Sequence, residues 1–369
     1  MRRRISASPT PSTAAAICRD RGWSEMGTIQ MLDCTLRDGG YCNDCRFGLD
    51  NQRRITAGLA AAGVEIIECG FLLDRVLHHP DVTRFTHPEQ IGAVLPRGRA
   101  AGRARYVALA DYGKYDFSRL PPQAEVPIQG IRVAFHKKDR RAALEACRTV
   151  REKGYQVFVQ PMVSVSYTEG EFLDLIARVN ALQPYAFYIV DSFGTLQRGD
   201  LLRLFRLAEA HLDPAVRIGF HPHNNLQLAF ANAQALVEQN SPRDLIVDSS
   251  VYGMGRGAGN LNTELFARYL NDRAGASYRM GPLLDILDGV VLDFYRQNPW
   301  GYSAAHYLSA SHQAHPDYGS YLEGKKTLTA REMDEILAGM NPEKRRMFDP
   351  DYIEELYRAY RTEQKGRAL

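Results

Sequence analysis

From residue 29 onward the hydrophobic positions follow two alternating rhythms. Short runs rich in β-branched, aliphatic and aromatic residues fall at 29–34, 64–69 (VEIIEC), 104–110, 129–135 (QGIRVAF), 155–160 (YQVFVQ), 185–191 (YAFYIVD), 216–221 (VRIGFH) and 244–249 (DLIVDS). Between them lie stretches such as 51–62 and 171–182, where apolar residues recur every three or four positions, the period of a half-buried helix. Strand and helix alternating eight times in about 240 residues predict a (β/α)8 TIM barrel, an α/β fold. A doubly wound sheet is the competing layout. It does not require eight units, and no G-x-G-x-x-G follows the first run. After residue 271 the alternation gives way to helical patterns at 283–294, 329–339 and 351–361, with a turn at Asn298-Pro299-Trp300-Gly301-Tyr302. The expected organisation is a tail over 1–27, a catalytic barrel over 28–275, and a C-terminal helical appendage over 276–369.

Composition narrows the function classes. With 45% hydrophobic and 24% charged residues in a chain of 369, the protein has a globular make-up. No apolar run approaches the roughly 18 residues that a membrane span needs. A net charge of +3 gives no argument for nucleic-acid binding. The N-terminal stretch is basic, acid-free to Arg19 and without an apolar signal core. It has a faint transit-peptide flavour and reads as a loose tail, or as an overlong start with the true beginning near Met26. Six cysteines in this length are no disulfide scaffold. Cys42-Asn43-Asp44-Cys45 is a lone C-x-x-C without a second pair, so it reads as reduced thiols in a cytoplasmic protein rather than a zinc or redox site.

The residues able to do chemistry cluster where the runs end, the face on which barrel active sites are built. His221 and His223 stand two apart at the end of a strand, so both rings point to one side. Asp38 follows the first strand. Two imidazoles and a carboxylate leave open positions on an octahedral ion and suit Mn²⁺, Mg²⁺, Co²⁺, Fe²⁺ or Zn²⁺. Taken singly, the H-x-H pair could be packed rim residues and Asp38 a turn residue before Gly39-Gly40. Arg37, beside Asp38, could stabilise a developing enolate oxygen or bridge to Glu68 or Asp191. Those two acids could orient Arg37, handle protons, or serve as structural partners. The segment Gly253-Met254-Gly255-Arg256-Gly257-Ala258-Gly259-Asn260 could bind an anion through the amides around Gly255 and Gly257, or form a tight loop into the next helix.

Together, Asp33-Cys-Thr-Leu-Arg-Asp-Gly, Glu68-Cys-Gly-Phe, His221-Pro-His-Asn-Asn and Gly255-Arg-Gly-Ala-Gly-Asn resemble the DRE-TIM metallolyase superfamily over residues 29–270. Its members include HMG-CoA lyase, 2-isopropylmalate and homocitrate synthases and 4-hydroxy-2-oxovalerate aldolase, and the Asp-Gly-Gly-Tyr variant looks most like the aldolase group. The resemblance implies Asp38, His221 and His223 as metal ligands with Asn260 as a further one, manganese as the first choice of ion, and Arg37 as the enolate-stabilising group. It implies a lyase or aldolase that breaks or makes a carbon–carbon bond next to the metal-chelated enolate of a 2-oxo acid. One departure stands out. The aldolases carry a catalytic His three residues after the metal-binding Asp, and this chain has Tyr41, which could act as base, as acid or as a positioning group. Tyr302 and His306 of the appendage could close over the mouth. A homo-oligomer fits the resemblance. An aldehyde dehydrogenase partner accompanies the aldolase branch, but no motif of this chain marks a docking surface for one. A Claisen-type synthase joining an acyl-CoA to a 2-oxo acid, and a non-catalytic scaffold barrel, are the competing readings.

Overall fold

Each of the eight apolar runs becomes a strand, and in the computed structural model, which describes residues 27–96, 98 and 102–367, they close on one another. The strands are β1 Ile29–Asp33, β2 Ile66–Leu72, β3 Arg84–Phe85, β4 Arg105–Asp111, β5 Gly130–Phe135, β6 Gln156–Pro161, β7 Ala186–Val190, β8 Arg217–His221 and β9 Leu245–Ser249. All pair in parallel in the order β1-β9-β8-β7-β6-β5-β4-β2, and β1 also pairs with β2, which completes an eight-stranded barrel. The two-residue β3 adds to β2 outside this ring. The basic tail expected over 1–27 falls, except for residue 27, outside the described residues.

Parallel barrel strands are covered on both faces, which is why they read as nearly continuous apolar runs. β2, β5, β7 and β9 are buried along their whole length. Leu32, Ile66, Val107, Phe158, Tyr188 and Ile246 pack together as one cluster. The much larger cluster joins residues such as Met31, Ile67, Val133, Ile189 and Val247 to Ile55, Val179 and Phe205 of the surrounding helices. Odd and even positions of the same strands thus go to separate clusters, as the period of two requires.

The helices are α1 Leu49–Ala62, α2 Arg140–Glu152, α3 Glu169–Leu182, α4 Arg198–His211, α5 Ala229–Val237 and α6 Thr263–Arg273. Among the described residues, the crossovers from β2 to β4 and from β4 to β5 contain no α-helix. They run through 3₁₀ turns at Pro88–Ala93, Phe117–Arg119 and Gln123–Glu125. Pro80, Pro88 and Pro96 in the first, and Pro121, Pro122 and Pro127 in the second, interrupt any run long enough for an amphipathic helix. Beyond the barrel, α7 Met280–Ile286 packs against α1 and α6; Gly58 has no Cβ where Ile286 would come within 2.7 Å of one.

The chain continues through α8 Leu292–Gln297, α9 Ala304–Ser311, α10 Pro316–Gly324, α11 Ala330–Ala338 and α12 Pro350–Arg367. Leu308, Tyr318, Leu322, Met333, Leu337 and Ile353 give α9–α12 a core of their own. The barrel's core takes in residues as far as Val291, with Phe294 and Trp300 packed against it. The segments around His315 and Phe348 come down over the C-terminal ends of the strands and wall one side of a cavity of about 360 Å³. No helix among the described residues is long and apolar enough to cross a membrane.

Candidate metal centre

The end of β1 turns sharply, the amides of Arg37 and Asp38 both donating to the Cys34 carbonyl at 3.0 and 2.8 Å. Gly40 follows because a Cβ there would lie 2.6 Å from Cys45 Sγ. The turn aims Asp38 inward, where it is 1% exposed. Across the barrel, His221 closes β8 and His223 stands two residues on, their ring centroids 4.9 Å apart at nearly a right angle. His223 Nε2 lies 3.0 Å and His221 Nε2 3.8 Å from Asp38 Oδ2. One ligand atom from each of the three side chains falls within 4.8 Å of the others.

The far nitrogens decide what the near ones are. His221 Nδ1 lies 2.8 Å from Asp248 Oδ2, and His223 Nδ1 lies 2.9 Å from the Asp191 carbonyl. Both acceptors require a hydrogen on Nδ1, so in the neutral rings the two Nε2 atoms carry lone pairs. Burial pushes His221 down to about 4, more than the pull of Asp248 restores, so at neutral pH this ring is uncharged. Burial would raise Asp38, but Arg37, His223 and His221 outweigh it and hold the carboxyl well below its ordinary range. The cluster therefore turns acceptors toward one another. Asp38 Oδ2, His223 Nε2 and Asn260 Oδ1 are buried without a hydrogen-bond partner among the described residues, a condition that costs folding free energy unless a cation meets them. Oxygen and imidazole nitrogen are a donor set for a divalent ion, and the arrangement matches the pattern of ring nitrogens fixed from behind by carboxylate or carbonyl.

Behind the triad runs a buried chain of charges. Arg37 donates through Nη1 to Asp38 Oδ1 and through Nε to Glu68 Oε2, each at 2.8 Å. Glu68 Oε2 also pairs with Arg132 Nη1 at 2.8 Å, and Arg132 Nη2 donates to Asp248 Oδ2, which returns to His221. Two guanidinium groups against three carboxylates leave one negative charge in excess. A divalent ion and a monoanionic substrate would balance it.

The other expected site residues fall as follows. Glu68 is fully buried between the two guanidinium groups, placed to hold Arg37 rather than to face the cavity. Asp191 turns its side chain away, accepting from the Thr195 and Leu196 amides, and only its carbonyl reaches His223. Tyr41 lines the cavity under Arg256, whose guanidinium lies 4.1 Å from its ring centre. Tyr41 is 45% exposed as a whole, and desolvation at the cavity wall raises its phenol above its ordinary value although Arg256 and Arg37 pull it down. Gly255 and Gly257 do not line the cavity. Cβ atoms there would meet Asn260 Nδ2 at 2.3 Å and Asn225 Oδ1 at 2.6 Å, so these glycines serve close packing of the loop, and Arg256 between them is the residue that faces in. Asn260 is buried, its Nδ2 donating to the Met254 carbonyl at 3.2 Å. Tyr302, before the start of α9, is 64% exposed beside Tyr307, and His306 on α9 contacts Ser320; neither lines the cavity. Cys42 donates to the Gly255 carbonyl and is pushed up to about 12 by burial, an inert thiol; among the described residues the C-x-x-C pair joins no metal-competent cluster.

Four residues of the site escaped the sequence reading: Arg132, Asp248, Arg256 and His315. A signal for the first two was present. A charge in the middle of a strand buried on both faces survives only if paired, and both GIRVAF and LIVDS carry one. A larger cavity of about 510 Å³, lined by Thr28, Glu65 and Tyr278, opens at the other end of the barrel, away from the triad.

A parallel (β/α)8 barrel with an Asp/His/His centre at the carboxyl ends of its strands defines a metal-dependent carbon–carbon lyase of the aldolase type. The family model described as HMGL-like matches residues 28–286, and the chain belongs to that family, within the DRE-TIM metallolyases. It is 29% identical over 271 residues to 4-hydroxy-2-oxovalerate aldolase 2 of Nocardia farcinica, covering 72% of this chain and 75% of that one. It is 28% identical over 262 residues to 4-hydroxy-2-oxovalerate aldolase of Shewanella pealeana, covering 70% and 75%. The HMG-CoA lyase of Brucella melitensis shares the fold with a TM-score of 0.56 at 15% identity, over 74% of this chain and all of that one.

Proposed function

We propose that the protein is a manganese-dependent aldolase that cleaves, and in reverse forms, a 4-hydroxy-2-oxo acid. The observation that carries this reading is the unpartnered, inward-facing acceptor set of Asp38, His221 and His223 beside Arg37. Asp38, His221 and His223 would hold the ion, with Asn260 Oδ1 as a further donor. The ion, when bound, supplies Lewis acidity toward the substrate's oxo oxygen.

Arg37 supports the negative charge that develops on that oxygen as the carbon–carbon bond breaks. It is suited to this because Asp38 and Glu68 hold its guanidinium in one place, so no reorganisation is needed at the moment of reaction. Tyr41, protonated at neutral pH, donates a hydrogen bond or a proton to substrate rather than removing one. Phe71 and Leu109 give the cavity an apolar side that limits water near the reacting carbon.

Two measurements test the reading. Protein loaded with Mn²⁺ and freed of excess is expected to retain about one ion per chain, and His221→Ala to lose it; a chain without stoichiometric metal, or a variant that keeps it, overturns the centre. Deuterium exchange into the methyl group of pyruvate requires no second substrate. Exchange by the native protein that Arg37→Ala abolishes supports the enolising role, while no exchange with pyruvate or any small 2-oxo acid favours a scaffold. Thiol release from acetyl-CoA in the presence of 2-oxo acids would instead indicate a Claisen-type synthase.

A further inference from the structure

The cavity's cations are not equally satisfied. Arg37 is neutralised by Asp38 and Glu68, and Lys114 pairs with Asp111 at 2.5 Å. Arg346 stands exposed at the rim. Arg256 is half-buried in the wall, and no carboxylate among the described residues lies within ion-pair distance of it. Its guanidinium carbon lies over the Tyr41 ring, 4.1 Å from the ring centre, and its Nη1 lies 3.4 Å from His315 Nε2.

Which way the Arg256–His315 contact runs is set by the His315 tautomer. His315 caps α10, its Nδ1 accepting from the Asp317 amide at 3.3 Å. A neutral ring that accepts at Nδ1 carries its hydrogen on Nε2. Burial, reinforced by Arg256, pushes His315 down to about 4, so the ring is neutral near pH 7. In the tautomer set by the Asp317 amide, the Arg256 and His315 N–H groups stand side by side as two donors without an acceptor between them. Such a pair is complementary to the two oxygens of an anion. The acids in the same cavity do not fill the role. Asp38 faces the metal ligands, Asp111 holds Lys114, and Asp317 sits half-exposed on the other nitrogen's side of His315, 3.7 Å from Nδ1.

Two aromatic rings separate this donor pair from the reacting end. Arg37 lies over Phe71 at 5.9 Å, Phe71 meets Tyr41 edge-on at 5.9 Å, and Arg256 covers the other part of Tyr41. A substrate whose oxo acid end lies at Asp38 and Arg37 would extend its far end along these rings toward Arg256.

We propose that Arg256, with the His315 N–H beside it, binds a second anionic group at the end of the substrate remote from the 2-oxo acid, so that the aldehyde half of the aldol is itself a carboxylate or a phosphate ester. This rests on the aldolase reading and names its substrate class. In the cleavage direction the C3–C4 bond of a 4-hydroxy-2-oxo acid breaks, its electron pair stays on C3, and the C4 hydroxyl loses its proton to become the aldehyde. C3 takes up a proton to give the shorter 2-oxo acid, so atoms and charge balance without a co-reactant. His315 lies beyond residues 28–286 that match the family, so the C-terminal helices of this chain supply part of the selectivity.

The test is aldol addition of pyruvate to a matched series by the full-length, Mn²⁺-loaded protein: butanal, succinic semialdehyde and glyceraldehyde 3-phosphate. One charge-assisted donor pair predicts kcat/KM about 10- to 100-fold higher for an anionic aldehyde than for butanal. A preference for succinic semialdehyde assigns a carboxylate tail; a preference for glyceraldehyde 3-phosphate assigns a phosphate. Arg256→Met is expected to erase the preference, with Arg256→Lys restoring part of it. Equal use of butanal and both anions by a native protein that does exchange the pyruvate methyl group overturns the inference alone. Absence of that exchange overturns the aldolase reading beneath it. A preference that survives in folded Arg256→Met also overturns the assignment. Should Arg256→Met not fold, His315→Gln, which removes the second donor's geometry while keeping a polar side chain, is expected to narrow the preference; an unchanged ratio overturns the pair.

Discussion

Arg132→Met would open the buried chain of charges at its centre. Arg132 is wholly buried, with Glu68 on Nη1, Asp248 on Nη2, the Tyr188 ring 4.9 Å from its guanidinium carbon, and the Gln160 amide placed to accept from Nε and Nη2 at 3.0 and 2.8 Å. Methionine fills most of the volume, so the loss is electrostatic rather than a cavity. Removing one partner of a buried ion pair costs about 3–5 kcal/mol, because the other charge stays behind in a poor solvent. At roughly 2 cal/mol/K of unfolding entropy per residue, a chain of 369 residues would lose about 4 to 7 °C in Tm.

The deficit carries a sign with pH. Burial already holds Glu68 above its ordinary value although Arg132 and Arg37 oppose it. Without Arg132 the folded-state value rises further, so protonation favours the folded form. The deficit is full at pH about 8 and shrinks as pH falls through that raised value. The assay is calorimetric or fluorescence melting of metal-free native and variant protein at pH about 8 and about 5.5, so that ion binding does not add to the apparent stability. A variant within 1 kcal/mol of the native protein, or a deficit that does not change with pH, would refute the account of Arg132 as the pairing charge for Glu68 and Asp248.

Asp248→Asn removes the charge that orients His221 from behind; Mn²⁺ affinity measured by calorimetry should fall about 10- to 100-fold, and an unchanged affinity sinks the orienting role. Tyr41→Phe deletes a proton donor and leaves the ring under Arg256; aldol cleavage should slow by about 100-fold or more with metal content intact, whereas native turnover would show that the hydroxyl takes no part. Asp33, sealed beneath Thr35 and Thr263, is raised to about 6 by burial, which its hydrogen bonds only partly offset. A carboxyl raised in the folded state adds stability as pH falls through 6 toward its unfolded value, so Asp33 should contribute about 2 kcal/mol between pH about 8 and about 4.5, read in urea melts as the difference between native protein and Asp33→Asn. Asp33→Asn should lack that gain, and an identical pH slope in both proteins would contradict it.

Strand positions were legible because a parallel strand covered on both faces leaves no room for polar alternation; the observed strands start and stop within about three residues of the apolar runs. The Asp38, His221 and His223 set was legible for a related reason. Residues at strand ends of a barrel share one face, so eight separate pieces of sequence can be read as one site. Alternation of period does not reveal that helices are missing after β2 and β4, because the prolines that break those crossovers leave the strand rhythm intact. Tyr302 and His306 were chosen from the appendage for their chemistry, and the structure brings His315 instead, since the turn at 312–316 and not the start of α9 is what reaches the mouth.

What the sequence by itself determined, then, is local: hydrophobic period specifies each element, element order specifies a barrel, and short motifs at strand ends specify which side chains share its rim. Only the tertiary structure decided how charges distant along the chain neutralise one another. Arg132 meets Asp248 across 116 positions, and Arg256 meets His315 across 59. Pairing of this kind has no period and no spacing, because it is selected by the cost of leaving a charge in a low-dielectric interior, and that cost is settled only when the barrel has closed.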